Sequence, residues 1–112
     1  YNQRYSKWYR APFGLLSKNM ENIIADQKMK HVLPDAFAHD TYIPDPEWIA
    51  THILGTVKSG SIILIHMPER GVREWNYKAL ELILIGLEDR GFKILNLSEI
   101  ESIQKNISLK HY

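Results

Sequence analysis

The chain has 112 residues, 45% of them hydrophobic, and a formal net charge of +1 at neutral pH, which allows at most one domain. So even a balance gives no basic stripe for nucleic acid and no polybasic tail for a membrane surface. With no cysteine there is no disulfide framework, thiol chemistry or cysteine-based zinc site. The apolar runs are far short of the ~20 residues that cross a bilayer.

Residues 7–10 read as the end of a strand, stopped by Pro12 and Gly14. Ser17 can cap a helix running to about Lys28, with Leu16, Met20, Ile23 and Ile24 on one face. Residues 31–34 form a short strand around Val32 and Leu33. Residues 35–46 hold three aspartates, two prolines and a histidine and read as a long loop of the kind that carries function. Asp45 followed by Pro46 supplies an N-cap and a proline at the first helical position. That helix runs to about Val57, with Trp48, Ile49, His52 and Ile53 inward. Ser59 and Gly60 turn the chain into residues 62–65, Ile-Ile-Leu-Ile. So short an apolar, β-branched run predicts a strand buried on both faces in a parallel sheet flanked by helices.

A polar loop over 67–74 leads to a helix over 75–90 whose apolar stripe is Leu80, Ile83, Leu84 and Leu87. Gly91 ends it, and residues 92–95 are another strand. Ser98 with Glu101 three residues on is a capping-box signature for a last short helix. The polar tail from Gln104 is expected to fray. Residues 96–98 and 106–108 match the Asn-x-Ser acceptor pattern for N-glycosylation, a pattern short enough to arise by chance.

The order β-α-β-loop-α-β-α-β-α predicts an α/β fold of alternating β/α units with parallel strands. It is read as one domain over 1–103 with a polar tail over 104–112. In such folds the carboxyl ends of the strands face the ligand crevice. His66, which ends the central strand, therefore stands where a parallel α/β protein keeps its chemistry. An imidazole can hold or release a proton near neutrality; the alternative is a hydrogen-bonded core histidine. Arg10 stands at a strand end before the Pro-Phe-Gly turn, where a surface arginine is the alternative. Trp75 is an aromatic candidate for a cleft rim. The five histidines have no zinc-site spacing such as His-Glu-x-x-His. There is no Gly-rich phosphate loop, no Gly-x-Ser-x-Gly elbow and no aromatic-basic interleaving for nucleic acid.

Three segments stand in order along the chain: Arg10-Ala11-Pro12-Phe13-Gly14; residues 60–66, Gly-Ser-Ile-Ile-Leu-Ile-His; and residues 87–100, which open Leu-Glu-Asp-Arg-Gly-Phe. With the acidic and aromatic stretch over 37–48 they resemble the polysaccharide deacetylase family, the NodB-like carbohydrate esterases. That family carries Arg-x-Pro-(Tyr/Phe)-Gly, an acidic-aromatic segment, a Gly-x-Ile-(Ile/Leu)-Leu-x-His strand and a Leu-x-x-Arg-Gly-(Tyr/Phe) ending. The resemblance covers roughly residues 8 to 101.

The resemblance implies a distorted (β/α) barrel of which this chain is half. The family's Thr-Phe-Asp-Asp and His-x-x-x-His segments, which supply the catalytic base and the ligands of a zinc-like divalent metal, are expected upstream of Tyr1. Half a barrel leaves strand edges unpaired, so the chain is expected to need the missing half or a second copy, and to be inactive alone. By resemblance His66 is the general acid that protonates the departing sugar amine. Arg10 pairs with the catalytic aspartate, a task that suits a planar, permanently charged guanidinium. Asp40, with Asp35 and Asp45 as alternatives, orients the histidine; Asp45 is also a helix cap, and His39 is near enough in sequence to reach a site.

Leu64 and Trp48 are candidates to line a pocket for the acetyl methyl, and Phe13 is a third substrate-binding candidate. The implied substrate is an N-acetylglucosamine polymer of the chitin or peptidoglycan type, which suggests a secreted or cell-surface setting. The family often has Asp after the histidine, where this chain has Met67. That departure motivates a second reading, a non-catalytic relative that binds glycans or a protein partner. A stand-alone α/β domain of unrelated function is a third.

Overall fold

The structure, a computed structural model, describes residues 7–110, with side chains described for residues 7–105. The second glycosylation pattern, at Asn106, has its side chains outside the described residues. The chain forms two compact units, Tyr1–Leu33 and Pro34–Tyr112.

In the first unit a strand β1 (Trp8–Tyr9), a helix α1 (Lys18–Asp26) and a strand β2 (Lys30–His31) make a small β-α-β unit. The strands are parallel, with Trp8 beside Lys30 and Tyr9 beside His31. The Ser17 hydroxyl accepts the Met20 N–H at 3.2 Å and caps α1 as its residue type predicts. The second strand ends sooner than residues 31–34 suggest, because β1 is stopped by the turn at Pro12 and offers no further partner, and Pro34 has no N–H for a ladder. Pro12–Gly14 forms one 3-10 turn, with Phe13 at φ 57 and Gly14 at φ 71. A Cβ on Gly14 would meet only the far end of the exposed, flexible Arg10 side chain, so it is the left-handed backbone angle that calls for glycine.

The second unit is built on helices α2 (Pro46–Thr56) and α3 (Trp75–Asp89). Asp45 Oδ1 accepts the Trp48 N–H at 3.0 Å and Pro46 opens the helix, so the start of α2 is where the sequence puts it. The core takes Ile49, Ala50 and Ile53 from α2, Ala79, Ile83 and Leu87 from α3, and Ala36 and Ala38 from the preceding loop. Trp48 and His52 are not inward as their spacing suggests. They stack on each other on an exposed face, ring centroids 5.1 Å apart and 12° between planes.

The buried line of α3 is Asn76, Ala79, Ile83 and Leu87, whereas Leu80 and Leu84 are 37% and 43% exposed. Positions 76, 79, 83 and 87 fall on one stripe of a 3.6-residue helix, and a leucine one residue on is turned about 100° away from it. Gly86 faces α2 so closely that a Cβ would meet the Leu54 side chain.

Two predicted strands are thinner than expected. Residues 62–65 are extended and half-buried, with a single parallel bridge between Ala36 and Ile63 and the Leu64 N–H donated to the Ala36 carbonyl at 3.0 Å. Burial on both faces needs a neighbouring strand along each edge, and among the described residues of this unit the backbone ladder to this segment is confined to residues 35–36. Residues 92–95 are irregular, with Ile94 62% exposed. The end of α3 does follow its sequence signal. Gly91, at φ 78, donates to the Glu88 carbonyl and Phe92 to the Leu87 carbonyl, the Schellman closure that a glycine permits.

A fourth helix, α4 (Leu97–Lys110), continues where a polar tail was expected. Its capping box is Asn96 with Glu99, two residues before the Ser98 and Glu101 pair. Asn96 Oδ1 accepts the Glu99 N–H at 2.9 Å and Glu99 Oε1 accepts the Asn96 N–H at 3.1 Å. Asn caps at least as well as Ser, and the ion pair of Glu101 and Lys105, 3.1 Å apart, supports the helix beyond Gln104. The whole is a mixed helix and strand structure with a parallel two-stranded sheet. Among the described residues no helix is long and apolar enough to cross a membrane.

Candidate functional site

Residues 36–40 alternate. Ala36, Ala38 and Asp40 are buried, whereas Phe37 and His39 are exposed. This two-residue period of extended chain carries a carboxylate onto the face that otherwise packs alanine on the core. Asp40 is 2% exposed, and a carboxylate so placed must be met by donors.

Those donors come from the end of the neighbouring extended segment and from the start of α3. The His66 backbone N–H donates to Asp40 Oδ2 at 2.7 Å, and the Asn76 amide nitrogen donates to the same oxygen at 2.9 Å. His66 Nδ1 lies 3.1 Å from Oδ2 and 3.3 Å from Oδ1. Asn76 also donates to the His66 carbonyl at 2.9 Å. The Trp75 indole N–H donates to the Asp40 carbonyl at 2.8 Å.

A carboxylate only accepts, so His66 Nδ1 carries the hydrogen on this side and Nε2 remains available. The His66 side chain is 45% exposed while its aspartate is 2% exposed. One edge of the imidazole is thus anchored in the protein and the ring still reaches solvent. Such a group can hand a proton outward while keeping its orientation.

The loop between His66 and α3 is tied down by its own polar groups. The Arg73 guanidinium donates to the Met67 carbonyl at 3.3 Å, with Arg73 itself at φ 51. Glu74 Oε1 accepts the Gly71 N–H at 3.0 Å.

Of the three aspartates in the loop, Asp40 is the one that meets His66. Asp45 caps α2. Asp35 is exposed, and its carboxylate accepts the Ile62 N–H at 2.5 Å and the Ser61 hydroxyl at 2.8 Å. The Ile62 N–H first and then the Ser61 hydroxyl hold the Asp35 carboxyl below its ordinary value of 3.8, against an opposing effect of burial that outranks the pull of the Lys58 charge.

Arg10, in the first unit, is exposed and reaches the Val32 carbonyl at 3.4 Å. Phe13 is 95% exposed. Leu64 is half-buried two residues before His66. His39 stacks on Tyr42 at 5.2 Å between ring centroids. Trp75 is half-buried, and its indole N–H donates to the Asp40 carbonyl. Asn76 was not legible as a site residue, although one signal was present. It stands three residues before Ala79 and seven before Ile83, a polar residue on an otherwise apolar line.

Among the described residues no group of three or more His, Asp or Glu side chains is placed to hold a metal ion. The residues present therefore do not fit the divalent metal that the motif resemblance implies. A separate cavity of about 460 Å³, lined by Val57, Leu87, Phe92, Leu95 and Ile103 among others, does not include the Asp40 cluster.

A solved structure of a point mutant of the peptidoglycan deacetylase PdaC from Bacillus subtilis superposes with a TM-score of 0.78 at 23% identity, over 94% of this chain and 48% of that one. The fold is polysaccharide deacetylase-like. In sequence, the chain is 24% identical over 94 residues to an uncharacterized protein, YlxY, of Bacillus subtilis (strain 168), covering 84% of this chain and 28% of that protein. No protein-family model matches. The chain thus spans about half of the deacetylase structure and a little over a quarter of YlxY.

Proposed function

We propose that this chain is a segment of a carbohydrate N-deacetylase and carries the general acid of that reaction. The observation behind it is the buried Asp40 carboxylate that anchors one edge of the half-exposed His66 ring, within a deacetylase-like fold. The substrate class is an N-acetylglucosamine polymer, of the peptidoglycan or chitin type. Hydrolysis of its acetamide adds water across the C–N bond and yields acetate and a free sugar amine. When that bond breaks, the nitrogen must gain a proton. In its doubly protonated form His66 supplies it from Nε2 and is left as the neutral Nδ1–H ring, still bonded to Asp40, so the ring delivers the proton without turning.

Arg10 is assigned to hold the carboxylate of the catalytic base, which this reading places outside the chain. The metal ligands that the resemblance implies are placed there too. Leu64, Trp48 and Phe13 are assigned to the substrate side. The segment then completes a distorted (β/α) barrel with the rest of its domain, or with a second copy, a reading supported by its match to about half of the deacetylase structure.

A second reading, a glycan- or protein-binding relative without turnover, is favoured by one observation. Met67, 73% exposed, directly follows His66 where the family often has Asp.

The test is acetate release by the intact protein from acetylated chito-oligomers and from peptidoglycan fragments, with divalent metal added. His66→Ala is expected to lower turnover by about 10²–10⁴-fold, the usual worth of a positioned acid. An undiminished His66→Ala variant removes the assignment of the acid. Saturable oligosaccharide binding with no acetate release selects the second reading.

A further inference from the structure

Asn76 is the fully buried polar side chain on α3, at 0% exposure. Its amide nitrogen makes two bonds, one to Asp40 Oδ2 and one to the His66 carbonyl, both at 2.9 Å. Its own oxygen, Oδ1, has no protein partner among the described residues. The orientation is nevertheless decided, because a flipped amide would set an oxygen against two acceptors. This side chain thus commits its amide nitrogen to the two residues that matter, while no protein group among the described residues meets its oxygen. Packing alone does not ask for that. An apolar residue would continue the line of Ala79, Ile83 and Leu87 without burying a polar group.

The bonds also close a ring of interactions around His66. Its backbone N–H is held by Asp40 Oδ2, and its backbone carbonyl by Asn76, which holds the same carboxylate oxygen. Oδ2 receives the His66 N–H at 2.7 Å, Asn76 at 2.9 Å and the ring nitrogen at 3.1 Å. Two fixed donors therefore set where the carboxylate lies before the ring comes to it.

We propose that Asn76 is the positioning residue of the Asp40–His66 pair: its amide fixes the carboxylate and the His66 backbone together, which holds His66 in the Nδ1–H tautomer and keeps Nε2 for the substrate. The role rests on the acid-pair reading above. Asn76 acts through Asp40 and His66 and touches no reacting atom.

The experiment is selective ¹⁵N-histidine labelling of the intact protein, with the two ring nitrogens of His66 assigned by the signals that vanish in His66→Gln. The wild type is expected to show neutral His66 chiefly as Nδ1–H. In Asn76→Ala the ratio of Nδ1–H to Nε2–H is expected to fall about tenfold, the change that loss of one charge-assisted hydrogen bond makes in an equilibrium. In the same variant kcat is expected to fall with KM little changed. A variant that melts at a lower temperature but keeps the wild-type ratio assigns Asn76 a structural role only and overturns the proposal.

Should Asn76→Ala fail to fold, the wild type itself decides. Both Asn76 side-chain amide protons are expected to exchange with solvent at least about tenfold more slowly than those of the exposed Asn19 and Asn96. Equal rates overturn the proposal. Failure of the underlying reading shows elsewhere, as a wild-type His66 that is mainly Nε2–H or an active His66→Ala variant.

Discussion

Asp35 and Asp40 make the same bond in two settings. Each accepts a backbone N–H from the extended segment that runs from Ile62 to His66, Asp35 at its start and Asp40 at its end. Asp35 does so in solvent, with a serine hydroxyl and a lysine charge nearby. Asp40 does so almost fully buried, with an asparagine, an indole and an imidazole around it. The first fixes where the two segments lie side by side. The second does that and also holds a proton-carrying ring, because a buried carboxylate must gather polar partners, and one of those partners keeps a free side.

If that contrast is right, the two aspartates will answer substitution very differently. Asp40→Asn in the intact protein should lower deacetylation by about 10²–10⁴-fold, since an amide can offer His66 the wrong partner and release its tautomer. Asp35→Asn should leave turnover near wild type. Comparable losses in the two variants would break the comparison.

Stability should separate them as well. Asp40→Ala leaves the His66 N–H and the Asn76 amide without their acceptor, at about 1–3 kcal/mol for each buried donor. Urea titration should therefore show a loss of roughly 2–6 kcal/mol. Trp75→Phe removes the single indole N–H bonded to the Asp40 carbonyl and should cost about 1 kcal/mol by the same measurement.

Asp35→Asn should cost about 1 kcal/mol or less at neutral pH, as an exposed hydrogen-bonded group does. Its signature lies in acid. The folded-state carboxyl sits below its ordinary value of 3.8, so the stability it contributes is present above that pH. It is lost as pH falls through the lower, folded-state value. Thermal melts followed downward from pH 4 should fall more steeply for the wild type than for Asp35→Asn. Parallel curves would mean that the Ile62 and Ser61 bonds do not persist in solution.

The helix starts at Ser17 and Asp45 and the stop at Gly91 could be read from the sequence, because capping is a bargain struck within four residues. So could the burial of Ile49, Ile53, Ile83 and Leu87, which follows from helical spacing. The motif order around Arg10, His66 and Arg90 pointed to the fold that the deacetylase superposition shows. The central strand at 62–65 is only an extended, half-buried segment. An apolar run states what it could bury but not which neighbours arrive to bury it. The last helix begins at Asn96 and not at Ser98 because two good caps lay close together, and side-chain geometry chose between them.

The sequence by itself determined that His66 ends an apolar segment and that an aspartate-rich loop precedes it. Only the tertiary structure decided which aspartate meets the histidine, and that Asn76 and Trp75 join them. Those contacts span 10 to 36 residues of chain. They depend on the register in which residues 36–40 alternate against the segment ending at His66, and on which line of α3 faces inward. Both are set by packing of the whole unit, which no local pattern encodes.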